Sequence, residues 1–99
     1  MRKAGFVYIL TSVSNTVLYI GVTSNLPTRI HQHRTKFYPN SFTAKYNCIK
    51  LVYYYQFETI QAANDGEKRL KKRSRAFKVA LIEKVNPNWR DLSNELNEW

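Results

Sequence analysis

The chain has 99 residues, 43% hydrophobic and 14% aromatic, which suits one compact domain spanning 1–99 and leaves no room for a second core. Its one cysteine, Cys48, excludes an internal disulfide and C-x-x-C zinc patterns and fits a reducing, cytoplasmic setting, and no apolar run approaches the roughly 20 residues of a membrane span. Sixteen Lys and Arg against seven Asp and Glu give a formal net charge of +9, an excess that implies a polyanionic partner, nucleic acid ahead of an anionic membrane surface.

In chain order, VYIL (7–10) and VLYI (17–20) are β-rich runs separated by TSVSNT, the mark of a hairpin. With Tyr8 opposite Tyr19, Leu10 faces Val17, the loop covers residues 12–15, and both phenols point to one face. Ser24 or Asn25 caps a helix that begins near Pro27. Leu26, Ile30 and Phe37 share a stripe on it; His33 falls inside that stripe, Arg29 at its edge, His31 nearly opposite. YPNSFTAKYN (38–47) reads as a loop, and CIKLVYYYQF (48–57) as a third strand, apolar on both faces and therefore central or well covered. Thr59 opens a helix through Leu70. Ser74 opens another with Phe77, Ala80 and Leu81 on one face, ended by Asn86-Pro87-Asn88. Asn88 caps a last short helix whose Trp89, Leu92, Leu96 and Trp99 form a stripe that packs on the domain or on a second copy of it.

Several residues do not fit a purely structural reading. Glu67 falls between Ile60 and Leu70 on the apolar side of its helix, where a carboxylate needs an ion pair, for example with Arg29, or a divalent cation. Gly66 stands just before it, at a cost of about 1 kcal/mol relative to alanine in a helix interior. Taken singly, His33 is a core histidine, Arg29 a surface residue, and Tyr8 and Tyr19 ordinary strand aromatics. Together with Glu67 they can converge from one hairpin face and two helices. From Lys68 to Lys78 the chain reads KRLKKRSRAFK, seven cations in eleven positions, a row suited to a phosphate backbone as well as to solvent.

Val7-Tyr8-Ile9-Leu10 stands where a Gly-Ile-Tyr half-motif is expected, and Tyr19-Ile20-Gly21 is an intact second half. With Arg29-x-x-x-His33, the TAKYN loop (43–47), EKRLKK (67–72) and ALIEKVNPNWRDL (80–92), the chain resembles the GIY-YIG nucleases over nearly its whole length, and specifically their small stand-alone members. The resemblance implies an α/β domain, a three-stranded, mainly antiparallel sheet flanked by helices. It implies a metal-dependent endonuclease that hydrolyses DNA phosphodiester bonds, with Tyr8 and Tyr19 at the scissile phosphate and Arg29 as phosphate clamp. Glu67 is then the sole protein ligand of Mg²⁺ (or Mn²⁺), and His33 assists proton transfer. Tyr19 is the expected general base, its phenolate favoured by a nearby cation, with Tyr8 hydrogen-bonding the phosphate or the attacking water; the exchange of the two roles is the alternative. Phosphate contacts are expected from Lys45, Lys68, Arg69, Lys71, Lys72, Arg73 and Arg75, without sequence preference, so that DNA structure rather than a fixed site guides cleavage in repair or recombination. Two readings compete: a non-catalytic nucleic-acid-binding module of the same fold, and an interaction domain that forms a homodimer through the Trp89/Trp99 helix.

Overall fold

A computed structural model describes residues 3–98. Strands β1 (Gly5–Thr11) and β2 (Leu18–Thr23) are followed by helix α1 (Leu26–Arg34), a single-turn helix α2 (Phe42–Lys45), strand β3 (Lys50–Phe57), helices α3 (Ile60–Lys71) and α4 (Arg75–Val85), and a 3-10 helix at Leu92–Glu98. The strands form one antiparallel sheet in the order β2-β1-β3, the α/β architecture expected. Every residue of β1 is buried. Its alternating side chains therefore feed two cores. Phe6, Tyr8 and Leu10 meet Leu26 and Ile30 of α1 and Leu92 and Leu96 of the 3-10 helix; Val7 and Ile9 meet Ala63 and Leu70 of α3 and Ile82 of α4. All four α-helices begin at a side-chain cap. Asn25, Ser41, Thr59 and Ser74 each accept the backbone N–H three residues on, which satisfies one otherwise orphaned donor.

The hairpin register differs from the expected one by two residues. Tyr8 pairs with Gly21 and Leu10 with Tyr19, so the loop is residues 12–17. The lack of a side chain at position 21 explains the choice. A Cβ there would lie 2.4 Å from the Tyr8 hydroxyl, so only glycine lets that ring cross the neighbouring strand. An even shift preserves which face each side chain takes, and the two tyrosines still share one. The longer loop closes on Ser12, whose backbone N–H donates to the Val17 carbonyl (3.2 Å) and whose Oγ accepts from the Val17 N–H (3.2 Å).

Strand β3 is an edge strand, not a central one. Its first half, with Leu51 and Val52, is buried, but Tyr55 and Gln56 lie exposed; the apolar run mixes core residues with surface aromatics. The stretch expected to be a plain loop contains α2. Phe37 lies beyond the end of α1 and is 62% exposed, so it leaves the Leu26–Ile30 stripe. On α4 the inward residue is Ile82, while Phe77 and Ala80 are exposed. The terminal stripe also breaks. Trp89 stands before the 3-10 helix with a left-handed backbone (φ 54°) and packs toward α3, whereas Leu92 and Leu96 pack toward α1. Trp99 lies outside the described residues. Leu92 and Leu96 face into the domain. Asn86 accounts for the turn: its amide donates to the carbonyls of Val52 (3.1 Å) and Arg90 (2.9 Å), tying the end of α4 to β3.

Candidate active site

On the α1 face the Tyr8 ring crosses Gly21 toward the outer edge of the sheet, and the chain there gathers its polar groups. Tyr8 is 1% exposed, and its hydroxyl hydrogen-bonds Nε2 of His33 at 2.9 Å. Tyr19, half-buried on β2, places its ring centroid 6.4 Å from that of Tyr8 and 5.6 Å from that of His33. Helix α1 supplies Arg29 and His33 one turn apart. The Arg29 guanidinium reaches Oε1 of Gln32 (3.3 Å), lies 5.7 Å from the centre of the Tyr38 ring and acts electrostatically on Tyr8.

The other ring nitrogen, Nδ1, meets Oγ1 of Thr43 at 2.9 Å, and the Thr43 hydroxyl in turn reaches Oγ of Ser41 at 3.2 Å. A neutral imidazole has one donor and one acceptor nitrogen, so one of the two hydroxyls donates to the ring and the other accepts from it. Among the described residues no buried side-chain nitrogen or oxygen lacks a partner. Burial, reinforced by the positive Arg29, lowers the His33 pKa to about 4, so the ring is neutral at pH 7. Burial is also the main influence on Tyr8 and outweighs Arg29, which opposes it; the Tyr8 pKa rises to about 12.

Tyr19 and Phe42, with ring centroids 6.0 Å apart, divide two clefts. One, about 390 Å³, is bordered by Arg29, His33, Tyr38, Ser41 and Thr43; the other, about 350 Å³, by Lys71 and Lys78. A phosphate resting over Tyr19 would thus have Arg29 on one side and Lys71 on the other. Glu67 comes from α3, on the opposite face of the sheet. Its side chain is 15% exposed and pairs with Nζ of Lys71 at 3.6 Å, not with Arg29. Its negative charge nonetheless acts on Tyr8, raising that pKa further. Four expected residues therefore cluster: Tyr19, Arg29 and His33 border one cleft, and buried Tyr8 reaches it through His33, whereas Glu67 stands on α3 across the sheet and borders neither cleft. No group of three or more His, Cys, Asp or Glu capable of holding a metal occurs among the described residues. The donor set still fits a magnesium-type ion, which keeps most of its own waters and needs one or two carboxylates.

Of the expected phosphate contacts, Lys45, Lys68, Arg69, Lys72, Arg73 and Arg75 are exposed. Some are engaged: the Arg73 guanidinium lies 4.5 Å from the Phe77 ring centre, Arg75 donates to the Asn15 carbonyl (3.2 Å), and Lys45 sits 5.5 Å over the Tyr46 ring. Ser41, Thr43 and Tyr38 border the cleft without having been singled out as site residues. Thr43 had a signal, since a buried histidine with one nitrogen on Tyr8 needs a partner for the other.

A sheet with this strand order, two phenols side by side on one face and an Arg-His helix make an α/β domain of nuclease type, and residues 4–80 match the family model described as the GIY-YIG catalytic domain. The chain belongs to the GIY-YIG family, whose nucleases generally depend on a divalent metal. Its relatives include a UPF0213 protein of Syntrophus aciditrophicus (strain SB), 35% identical over 82 residues, 83% of this chain and 92% of that protein. A UPF0213 protein of Clostridium perfringens (strain 13 / Type A) is 34% identical over 96 residues, 93% of this chain and 97% of that one. The solution NMR structure of a UPF0213 protein from Bacillus halodurans shares the fold, with a TM-score of 0.56 at 24% identity, covering 89% of this chain and 92% of that one. No helix among the described residues is long and apolar enough to cross a membrane.

Proposed function

We propose that the chain is a Mg²⁺- or Mn²⁺-dependent endonuclease that hydrolyses DNA phosphodiester bonds, guided by DNA structure rather than sequence, as in repair or recombination. The observation that carries this reading is the Tyr8–His33 hydrogen bond (2.9 Å), with the charges of Arg29 and Glu67 both acting on that phenol. Glu67 would hold the ion, which supplies Lewis-acid polarisation of a phosphate oxygen and assistance to the departing 3′ oxygen. Arg29 forks onto the non-bridging oxygens and stabilises the charge that builds there. Tyr8, hydrogen-bonded to His33, stays neutral and orients the phosphate or the attacking water. Tyr19, open to the clefts, takes the proton of that water. His33 and Thr43 hold the Tyr8 hydroxyl in place.

The non-catalytic reading has one observation in its favour. Lys71 already occupies Glu67, and an incoming cation must displace it. Both readings are tested together on a panel of nicked, flapped, branched and plain duplex DNA with Mg²⁺, Mn²⁺ or EDTA. Glu67→Ala is expected to abolish metal-dependent cleavage and keep DNA binding with a similar salt dependence. Lys71→Ala, which frees the carboxylate, is expected to lower the Mg²⁺ concentration needed. Cleavage that persists unchanged in Glu67→Ala would reject the nuclease.

A further inference from the structure

Gly66 lies inside α3, where it costs about 1 kcal/mol relative to alanine. A Cβ there would sit 2.6 Å from the Phe57 ring, so the bare backbone makes the seat for that ring. Tyr55 meets Phe57 edge-on at a centroid distance of 4.9 Å and is itself 55% exposed. Alternation along β3 brings Tyr53 onto the same face. Between this row of rings and helices α3 and α4 runs a groove. A cavity of about 270 Å³ beside Arg69 adjoins one of about 490 Å³ beside Lys84 and Arg90, and Tyr53 and Tyr55 border both.

Charge decides what the groove fits. Arg69, Lys84 and Arg90 are exposed along it, and the acid at its rim, Glu95, accepts the Tyr54 hydroxyl at 2.8 Å. Aromatic rings flanked by cations suit a polyanion that carries flat rings of its own. Paired bases in a duplex keep their faces stacked on one another; unpaired bases can offer them. We propose that this groove binds a single-stranded nucleic-acid segment, its bases stacked on Tyr55 and Phe57 and its phosphates against Arg69, Lys84 and Arg90. The choice of nucleic acid among polyanions rests on the nuclease reading above. The groove lies across the sheet from the Tyr8–His33 pair, and α3 serves both: Gly66 and Arg69 border the groove, and the charge of Glu67 acts on Tyr8. A substrate with a single-stranded arm therefore engages two surfaces at once.

Fluorescence anisotropy with labelled oligo(dT) of about 12 nucleotides, and with a duplex of the same length, tests this in EDTA, where metal-dependent cleavage is silent. Tyr55→Ala is expected to weaken oligo(dT) binding about tenfold and duplex binding less than about twofold, and Tyr55→Phe to restore the oligo(dT) affinity. Circular dichroism checks that both variants fold. Unchanged oligo(dT) binding in Tyr55→Ala, or an equal loss on both ligands, overturns the proposal. So does displacement of oligo(dT) by polyglutamate as effective as by unlabelled oligo(dT), since the groove would then read charge alone. A protein that cleaves nothing yet shows the selective Tyr55→Ala loss removes the nuclease reading and keeps the groove. Metal-dependent cleavage without that selective loss does the reverse.

Discussion

His33 is a neutral ring wedged between two hydroxyls, and its titration should be visible in the stability of the whole chain. Its pKa is lowered to about 4 in the fold, while an imidazole in the unfolded chain titrates near 6.5. Between those values the unfolded chain binds more protons than the folded one. The contribution is thus fully present above pH 6.5 and is lost as pH falls toward 4, by on the order of 2 kcal/mol. Urea denaturation at pH 7 and pH 4.5 checks this: His33→Gln should lose that part of the pH dependence, and equal pH slopes in both proteins would assign it to another group. Thr43 acts on the same ring. Thr43→Val keeps the shape but leaves the buried Nδ1 of His33 without a partner, which should cost about 1–3 kcal/mol. Thr43→Ser should restore it, and the ¹⁵N shifts of His33 should show the same tautomer in the wild type and in Thr43→Ser.

Among the elements, the opening hairpin depends most on a single position. Gly21 faces Tyr8, and a Cβ would lie 2.4 Å from both the hydroxyl and the ring carbon that bears it. Gly21→Ala should therefore destabilise by about 2 kcal/mol, an overpacking cost, measurable as a lowered Tm. Tyr8→Phe should not relieve it, because the ring carbon remains. The same contact marks what the sequence could convey. Two apolar runs around TSVSNT specify a hairpin and put both tyrosines on one face, but the exact pairing depends on a ring crossing a neighbouring strand, which no local pattern records. Three capped helices were legible because Asn25, Thr59 and Ser74 act on residues three positions on, whereas the single turn capped by Ser41 carries too short a pattern to show in the sequence. The place of β3 was not: YYY reads alike whether covered by a second layer or left on an edge. In the site, motif residues foretold Tyr8, Tyr19, Arg29 and His33 as neighbours. Thr43 required knowing where α2 folds back, and the partner of Glu67 proved to be Lys71, four residues on, rather than Arg29.

For the molecule as a whole, a net charge of +9 is carried on a body 39 × 29 × 27 Å. Its long axis matches about one turn of duplex DNA, roughly 34–36 Å. The cations are not equivalent. Lys71 is tied to Glu67, Arg75 to the hairpin loop and Arg73 to the Phe77 ring, whereas Lys68 and Lys72 have no hydrogen-bond or ion-pair partner among the described residues. An ammonium that holds no partner gives up only water when it meets a phosphate, and each such contact releases a counterion. Lys68→Gln with Lys72→Gln should therefore reduce the slope of log affinity against log salt by about 2 on duplex DNA, and weaken all sequences alike. Stability should hardly change, because neither lysine supports the fold. The titration is best read between about 50 and 200 mM salt, where a few phosphate contacts move affinity by orders of magnitude. An unchanged slope would move the phosphate contacts off Lys68 and Lys72 and leave Arg29, Lys71 and Lys78, around the two clefts, as the cations that meet the backbone.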